Sequence, residues 1–256
     1  MAALNYFVQG WMTASILRAY LSQAKGFGHL LWHPLQLRHL IIREVRFKNR
    51  LKNKKSWIAW QKYNSARAEA AFRSKEALMR PFNVARLKTI SNIFTTLGNG
   101  LVVLDVGGGD GILGEHLWKK GNIVSSVDLP SVAGRVHKCK GLLAAAGDAE
   151  LLPFVSDTFD VVLASEIVEH LWDPNSFFDE AYRVLKDDGK LIISTPEGKE
   201  GLRYDSHKSF FTIDHLSHLL DTKFVIIDFK RLTAVRTQTP TIIVLFKKLK
   251  TPKNWG

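Results

Sequence analysis

Two carboxylates and an imidazole stand at i, i+3 and i+4 in Glu166-Ile167-Val168-Glu169-His170. On one face of a helical turn these groups converge. Together they could hold a divalent cation that lowers the pKa of an acceptor oxygen; without an ion, His170 beside the acids could act as a general base. The competing reading makes Glu166 and Glu169 solvated acids at a helix start and His170 a base or a packed ring. A second stretch, Leu104-Asp105-Val106-Gly107-Gly108-Gly109-Asp110-Gly111, has the pattern D-x-G-x-G-x-G between an apolar run and a helical segment. Glycine lets a backbone approach a nucleotide-type ligand closely. The dinucleotide fingerprint G-x-G-x-x-G is not matched, because Ile112 stands three residues after Gly109, where that motif needs a small residue. Asp128 lies 21 residues after Gly107 at the end of the next apolar run, where an acid can accept both ribose hydroxyls. Asp148, in Gly147-Asp148-Ala149, closes a third run. Asp105, Asp128 and Asp148 thus mark three successive strand ends.

The elements that must position these groups alternate between strand and helix. Strands are expected at Leu101 to Leu104, Asn122 to Val127, Leu142 to Ala146, Phe159 to Ala164 and Lys190 to Ser194. Helices are expected at Leu113 to Lys120, at Asn175 to Leu185, and from Thr212 and Asp214 onward. The turn Lys186-Asp187-Asp188-Gly189 separates the second of these helices from the fifth strand. Such alternation predicts an α/β, doubly wound and mostly parallel sheet covered on both faces. Two final runs, Phe224 to Phe229 and Thr241 to Phe246, have no helical pattern between them. They read as an antiparallel edge hairpin, which completes seven strands.

Charge divides the 256 residues unevenly. Residues 1–99 hold 17 Lys/Arg against 3 Asp/Glu, a net of +14, while residues 100–256 hold 19 against 21. Residues 1–79 are expected to form a basic helical extension and residues 80–256 the α/β domain. Within the extension, Trp11, Met12, Ile16, Leu17, Tyr20 and Leu21 fall at helical spacing, Pro34 can open a second helix, and 46–55 holds six cations. Residues 56–78 and 82–97 read as further helices. Such a surface over residues 1–55 suits an anionic membrane or RNA phosphate, or packs on the catalytic domain with its basic face solvated. The acid-free start also has the look of an organelle transit segment, with a mitochondrial address as the alternative to a cytoplasmic, peripherally membrane-associated one. A single cysteine, Cys139, excludes an internal disulfide and a CxxC zinc site, which makes a reducing compartment the default. The apolar runs are too short to span a bilayer.

The glycine turn resembles the first motif of the class I S-adenosylmethionine (SAM) dependent methyltransferases. Gly147-Asp148-Ala149-Glu150-Leu151-Leu152-Pro153-Phe154, Asp157-Thr158-Phe159-Asp160-Val161-Val162 and Arg183-Val184-Leu185 are similar to the members that modify quinones, lipids and other small molecules. With Asn83-Val84-Ala85-Arg86-Leu87 and Ser165-Glu166-Ile167-Val168-Glu169-His170, the chain resembles most the O-methyltransferases of ubiquinone biosynthesis, roughly over residues 80–250. The resemblance implies SAM as cofactor. It implies that Arg86 holds the SAM carboxylate, that Gly107, Asp128 and Ser165 are further contacts, and that Asp148 and Ala149 meet the adenine. Asp105 and Gly109 complete the expected cofactor set. Between the fifth strand and the next helix, however, only Glu197 to Ser206 separates Pro196 from His207, shorter than the apolar insertion of the quinone enzymes.

An E-x-x-E-H motif followed by a distant histidine also resembles the small-RNA 2′-O-methyltransferases. That likeness implies a metal set of Glu166, Glu169, His170 and His207. Two oxygen donors and two imidazoles suit zinc, manganese or iron, whereas magnesium prefers oxygen alone although the resemblance implies it. The leading expectation is O-methylation of a small-molecule or lipid-linked hydroxyl acceptor, with Glu169 and His170 as catalytic residues. Methylation of RNA is the second, and a non-catalytic assembly protein docking through its basic helices is the third.

Overall fold

The computed structural model describes residues 81–109, 111–129, 142–199, 207–233 and 240–250. The helices expected within 1–78, the anionic-surface reading of 1–55 and Cys139 lie outside the described residues. Helix α1 (Pro81–Leu97) precedes β1 (Val102–Val106), α2 (Ile112–Lys119) and β2 (Ile123–Asp128). Then follow β3 (Leu142–Ala146), β4 (Phe159–Ser165), a single 3₁₀ turn (Val168–His170), α3 (Pro174–Val184) and β5 (Leu185–Pro196). Helix α4 (Ile213–Leu220) leads to β6 (Phe224–Leu232) and β7 (Thr241–Lys248). Among the described residues no helix is long and apolar enough to cross a membrane.

The strands form one seven-stranded sheet in the order β3-β2-β1-β4-β5-β7-β6. Neighbours from β3 to β5 are parallel, and β7 runs antiparallel to both β5 and β6. The expected doubly wound sheet with an antiparallel edge hairpin is therefore present. Alternation along each strand sends side chains to two cores. Leu104, Val106, Val162, Ala164, Leu191 and Ile193 face one side with Phe177, Phe178 and Ala181 of α3 and Leu216 of α4. Val103, Val161, Leu163 and Ile192 face the other side, against Ile90, Ile93 and Phe94 of α1 and Leu117 of α2. The winding direction reverses between β1 and β4, so their carboxyl ends open a crevice, which is where open α/β sheets bind ligands.

Local sequence explains the joints. Asp173 caps α3 by accepting from the Ser176 backbone N–H (3.4 Å), with Pro174 in the first turn. This start lies one residue before the expected Asn175. The Thr212 side chain caps α4 by accepting from the His215 N–H at 3.1 Å. Lys186 to Gly189 form a bulge rather than a turn outside the strand. Leu185 already pairs with Phe159 and Lys190 with Val161, and Asp188 takes a left-handed φ of 61° in the excursion. On α3, Glu180 accepts from the Leu152 N–H at 2.8 Å while Arg183 donates to Glu180 and to the Leu152 carbonyl. That clamp fixes the loop after β3 against the helix that follows the crevice. Burial lowers the Arg183 pKa to about 10.

Candidate active site

The glycine turn sits at the carboxyl end of β1. Gly107 N–H donates to Val127 O at 2.8 Å, which locks the turn to β2, and Gly109 N–H donates to Asp128 Oδ2 at 2.9 Å. The other Asp128 oxygen accepts from Leu129 N–H at 2.7 Å. Two amides therefore orient a carboxylate that has about four acceptor positions. A Cβ on Gly108 would stand 2.1 Å from Ser126 Oγ, so that position admits only glycine. Gly109 differs: its φ is +58°, and a Cβ there would meet nothing closer than the Gly107 carbonyl at 3.9 Å. The turn is thus tight below and open above, as a backbone cradle requires.

Asp105 is buried beneath the turn. Its Oδ2 would lie 2.9 Å from a Cβ on Gly108 and 3.2 Å from one on Gly114, so it supports the turn from below. Asp148 is buried as well, and its Oδ1 accepts from the Glu150 N–H at 3.0 Å, with Ala149 half-buried between them. Glu150 is itself buried, and its Oε1 accepts from the Trp172 N–H at 2.8 Å. The turn after β3 is thereby tied to the segment following His170.

The loop after β4 does not present its acids on one helical face. Glu166 has φ +56°, and the 3₁₀ turn starts only at Val168. The expectation of Glu166, Glu169 and His170 on one turn is corrected accordingly: left-handed backbone at Glu166 sends its side chain away from the other two. Its Oε2 lies 3.3 Å from Arg86 Nη1 and its Oε1 accepts from Ser194 Oγ at 2.9 Å. Ser194 Oγ also meets Ser165 Oγ at 3.0 Å. Arg86, expected at the SAM carboxylate, is thus engaged by a neighbouring acid.

Glu169 lies on the other side of β5. Thr195 Oγ1 donates to its Oε2 at 3.0 Å, and the Glu169 carbonyl accepts from Lys208 N–H at 2.7 Å. Its Oε1 is buried without a hydrogen-bond donor among the described residues and faces His170 Nε2 at 3.9 Å. The His170 and His207 rings meet edge to face with centroids 4.7 Å apart. One ligand atom each from Glu169, His170 and His207 lies within 4.8 Å of the others. Glu166 is outside that group. The hydroxyls of Ser194 and Thr195 have no counterpart in the sequence reading. Their signal is two polar residues ending an otherwise apolar strand, and both are fully buried.

Residues 104–193 match the family profile described as a methyltransferase domain. That match runs from β1 into β5. The chain is 34% identical over 106 residues to the ubiquinone biosynthesis O-methyltransferase of Pseudomonas entomophila, covering 38% of this chain and 44% of that protein. To its namesake from Coxiella burnetii it is 34% identical over 119 residues, covering 44% and 50%. The matched region thus spans about half the length of these relatives. Among solved structures, the N-methyltransferase NodS of Bradyrhizobium japonicum with S-adenosyl-L-homocysteine superposes with TM-score 0.62 at 16% identity, covering 72% of this chain and 98% of that one. The 1,6-didemethyltoxoflavin-N1-methyltransferase of Burkholderia thailandensis gives 0.60 at 21% identity, covering 77% and 89%. The [4+2]-cyclase SpnF also superposes, with TM-score 0.56 at 18% identity, covering 64% and 80%. The fold alone therefore does not fix the reaction.

Burial, and after it the charge of Glu166, push the Glu169 carboxyl well above its ordinary 4.5; the Thr195 hydrogen bond and Arg86 offset this only in part. Burial also raises Glu166, against the pull of Arg86 and Ser194. A carboxyl raised in the folded state stabilises the fold fully below its unfolded value and loses that contribution as pH rises through the raised one. Glu169→Gln carries no such loss. In chelator, the melting temperature of the Gln variant relative to the unmodified protein is expected to climb as pH is raised from below 4.5 to neutrality. A difference independent of pH would contradict the burial of a titrating carboxyl here.

Proposed function

We propose that this chain is a SAM-dependent methyltransferase that transfers a methyl group to the hydroxyl of a small-molecule or lipid-linked acceptor. The observation that carries the reading is the junction of two half-sites. A Cβ on Gly107 would stand 2.5 Å from Ile167 Cδ1, so the cradle touches the loop that bears Glu169 and His170. The names of the curated relatives support an oxygen acceptor. The balanced charge of residues 100–256, 19 Lys/Arg against 21 Asp/Glu, favours a small acceptor over RNA. The basic residues 1–99 favour an acceptor presented at an anionic surface.

SAM supplies an electrophilic methyl, and the chain has to align donor and nucleophile and exclude water. In this reading Gly107 and Gly109 admit the donor, Asp128 accepts its ribose hydroxyls, and the turn at Asp148 and Ala149 borders the adenine. Ser165 and Arg86 border the methionine end. His170, half-buried and facing Glu169, takes the acceptor's proton. Glu169 Oε1 stands 3.9 Å from the ring, where in its ionised form it favours the imidazolium.

The buried Glu169 Oε1 and the two imidazoles also fit a divalent cation, with Glu169, His170 and His207 as its holders. One carboxylate and two imidazoles suit zinc or manganese better than magnesium. Bound there, such an ion would polarise an acceptor oxygen. Glu166, drawn to Arg86, is not needed in that set.

Calorimetric titration tests the donor reading. Asp128→Ala is expected to weaken SAM by roughly 1.5–3 kcal/mol, the range for hydrogen bonds to a charged group. Unchanged affinity would mean that the donor lies elsewhere. For the ion, activity is expected to fall at least about tenfold in EDTA and to return with zinc or manganese, but not in His207→Ala. Full activity in EDTA would leave His170 as the base and dispose of the metal.

A further inference from the structure

Glu166 is the acid that the proposed chemistry leaves without a task, although its surroundings are built. It adopts φ +56°, a conformation that non-glycine residues hold only when the surroundings impose it. Its two oxygens have separate partners, Arg86 Nη1 at 3.3 Å and Ser194 Oγ at 2.9 Å. Ser194 is fully buried and meets Ser165 Oγ, so the Ser194 end of the array is fixed by two strands. The Glu166 N–H also donates to the Ser194 carbonyl at 2.8 Å. Backbone and side chain are therefore both pinned, and what remains to be held in place is the Arg86 guanidinium, whose side chain keeps 19% of its surface exposed.

The next residue, Ile167, packs on Gly107. A pinned acid and the arginine it engages therefore stand directly beside the cradle, on the face of the sheet covered by α1. A SAM molecule in the cradle carries a carboxylate at its methionine end, and an arginine offers five N–H donors in a planar fork that can serve two acids at once. We propose that Glu166 is the positioning residue for Arg86: it holds one edge of the guanidinium so that another edge meets the donor's carboxylate. Rotamer freedom of a long side chain is lost before the donor arrives rather than on binding, which raises affinity. The inference rests on the SAM reading above and goes beyond it. It gives Glu166 a role separate from the Glu169, His170 and His207 cluster.

The test uses the full chain and two ligands, SAM and decarboxylated SAM, which keeps the sulfonium, the ribose and the ammonium but has no carboxylate. In Glu166→Gln, SAM binding is expected to weaken by about 10- to 100-fold, while decarboxylated SAM binds within about twofold of its affinity for the unmodified protein, which also shows that the variant is folded. In an Arg86→Ala background the Glu166→Gln change is expected to have no further effect on SAM. Equal loss for both ligands, loss for neither, or a full additional loss without Arg86 would each overturn the role. If the unmodified protein binds neither ligand, the donor reading itself falls, a result distinct from those failures.

Discussion

Two carboxylates three residues apart just past the end of one strand, Glu169 buried and Glu166 with 24% of its side chain exposed, cannot both be charged there without help. Desolvation of an acid costs several kcal/mol unless charge or hydrogen bonds offset it, and two acids close together raise each other. Glu166 and Glu169 are in that position at the carboxyl end of β4, and burial raises both. Much of the candidate site is the set of groups that makes this pair tolerable. Arg86 and Ser194 attend Glu166, while Thr195, His170 and His207 surround Glu169.

The sheet sorts the two acids. Ser194 and Thr195 are consecutive residues of β5, so their hydroxyls point to opposite faces. Ile192 and Ile193 before them belong to different cores, which fixes the faces: Ser194 toward α1 and Thr195 toward the side of α3 and α4. The left-handed backbone at Glu166 lets that acid follow Ser194 while Glu169 follows Thr195. On the proposed reading these are a donor side, with the glycine cradle and the Arg86–Glu166 pair, and an acceptor side, with one buried carboxylate and two imidazoles. Both open on the crevice that the reversal of winding creates between β1 and β4.

The architecture was legible because it depends on periodicity and punctuation. Alternating apolar runs marked the strands, the glycine turn and Asp128 marked the first two strand ends, and the helix-free interval before Thr241 marked the antiparallel edge. The site was legible as a set of residues but not as a geometry. Spacing of i, i+3 and i+4 implies one face only if the backbone is helical from the first residue, and a left-handed Glu166 breaks that condition. The hydroxyls of Ser194 and Thr195, like Glu150 holding Trp172, depend on contacts between strands and loops far apart in sequence. No local pattern encodes those distances. Nor does local pattern tell a carboxylate that supports a turn from one that lines it, as Asp105 shows beneath Gly108.

On the proposed function the cradle and the Glu169, His170 and His207 cluster are two halves of one site, joined where Ile167 touches Gly107. A crystal structure of the protein with S-adenosylhomocysteine tests it most directly. The ribose should lie on Asp128, the amino-acid carboxylate on Arg86 with Glu166 still engaged, and the thioether sulfur should face His170 across a space large enough for a hydroxyl acceptor. A ligand bound away from Gly107 and Gly109, or a sulfur directed away from His170, would contradict the shared site.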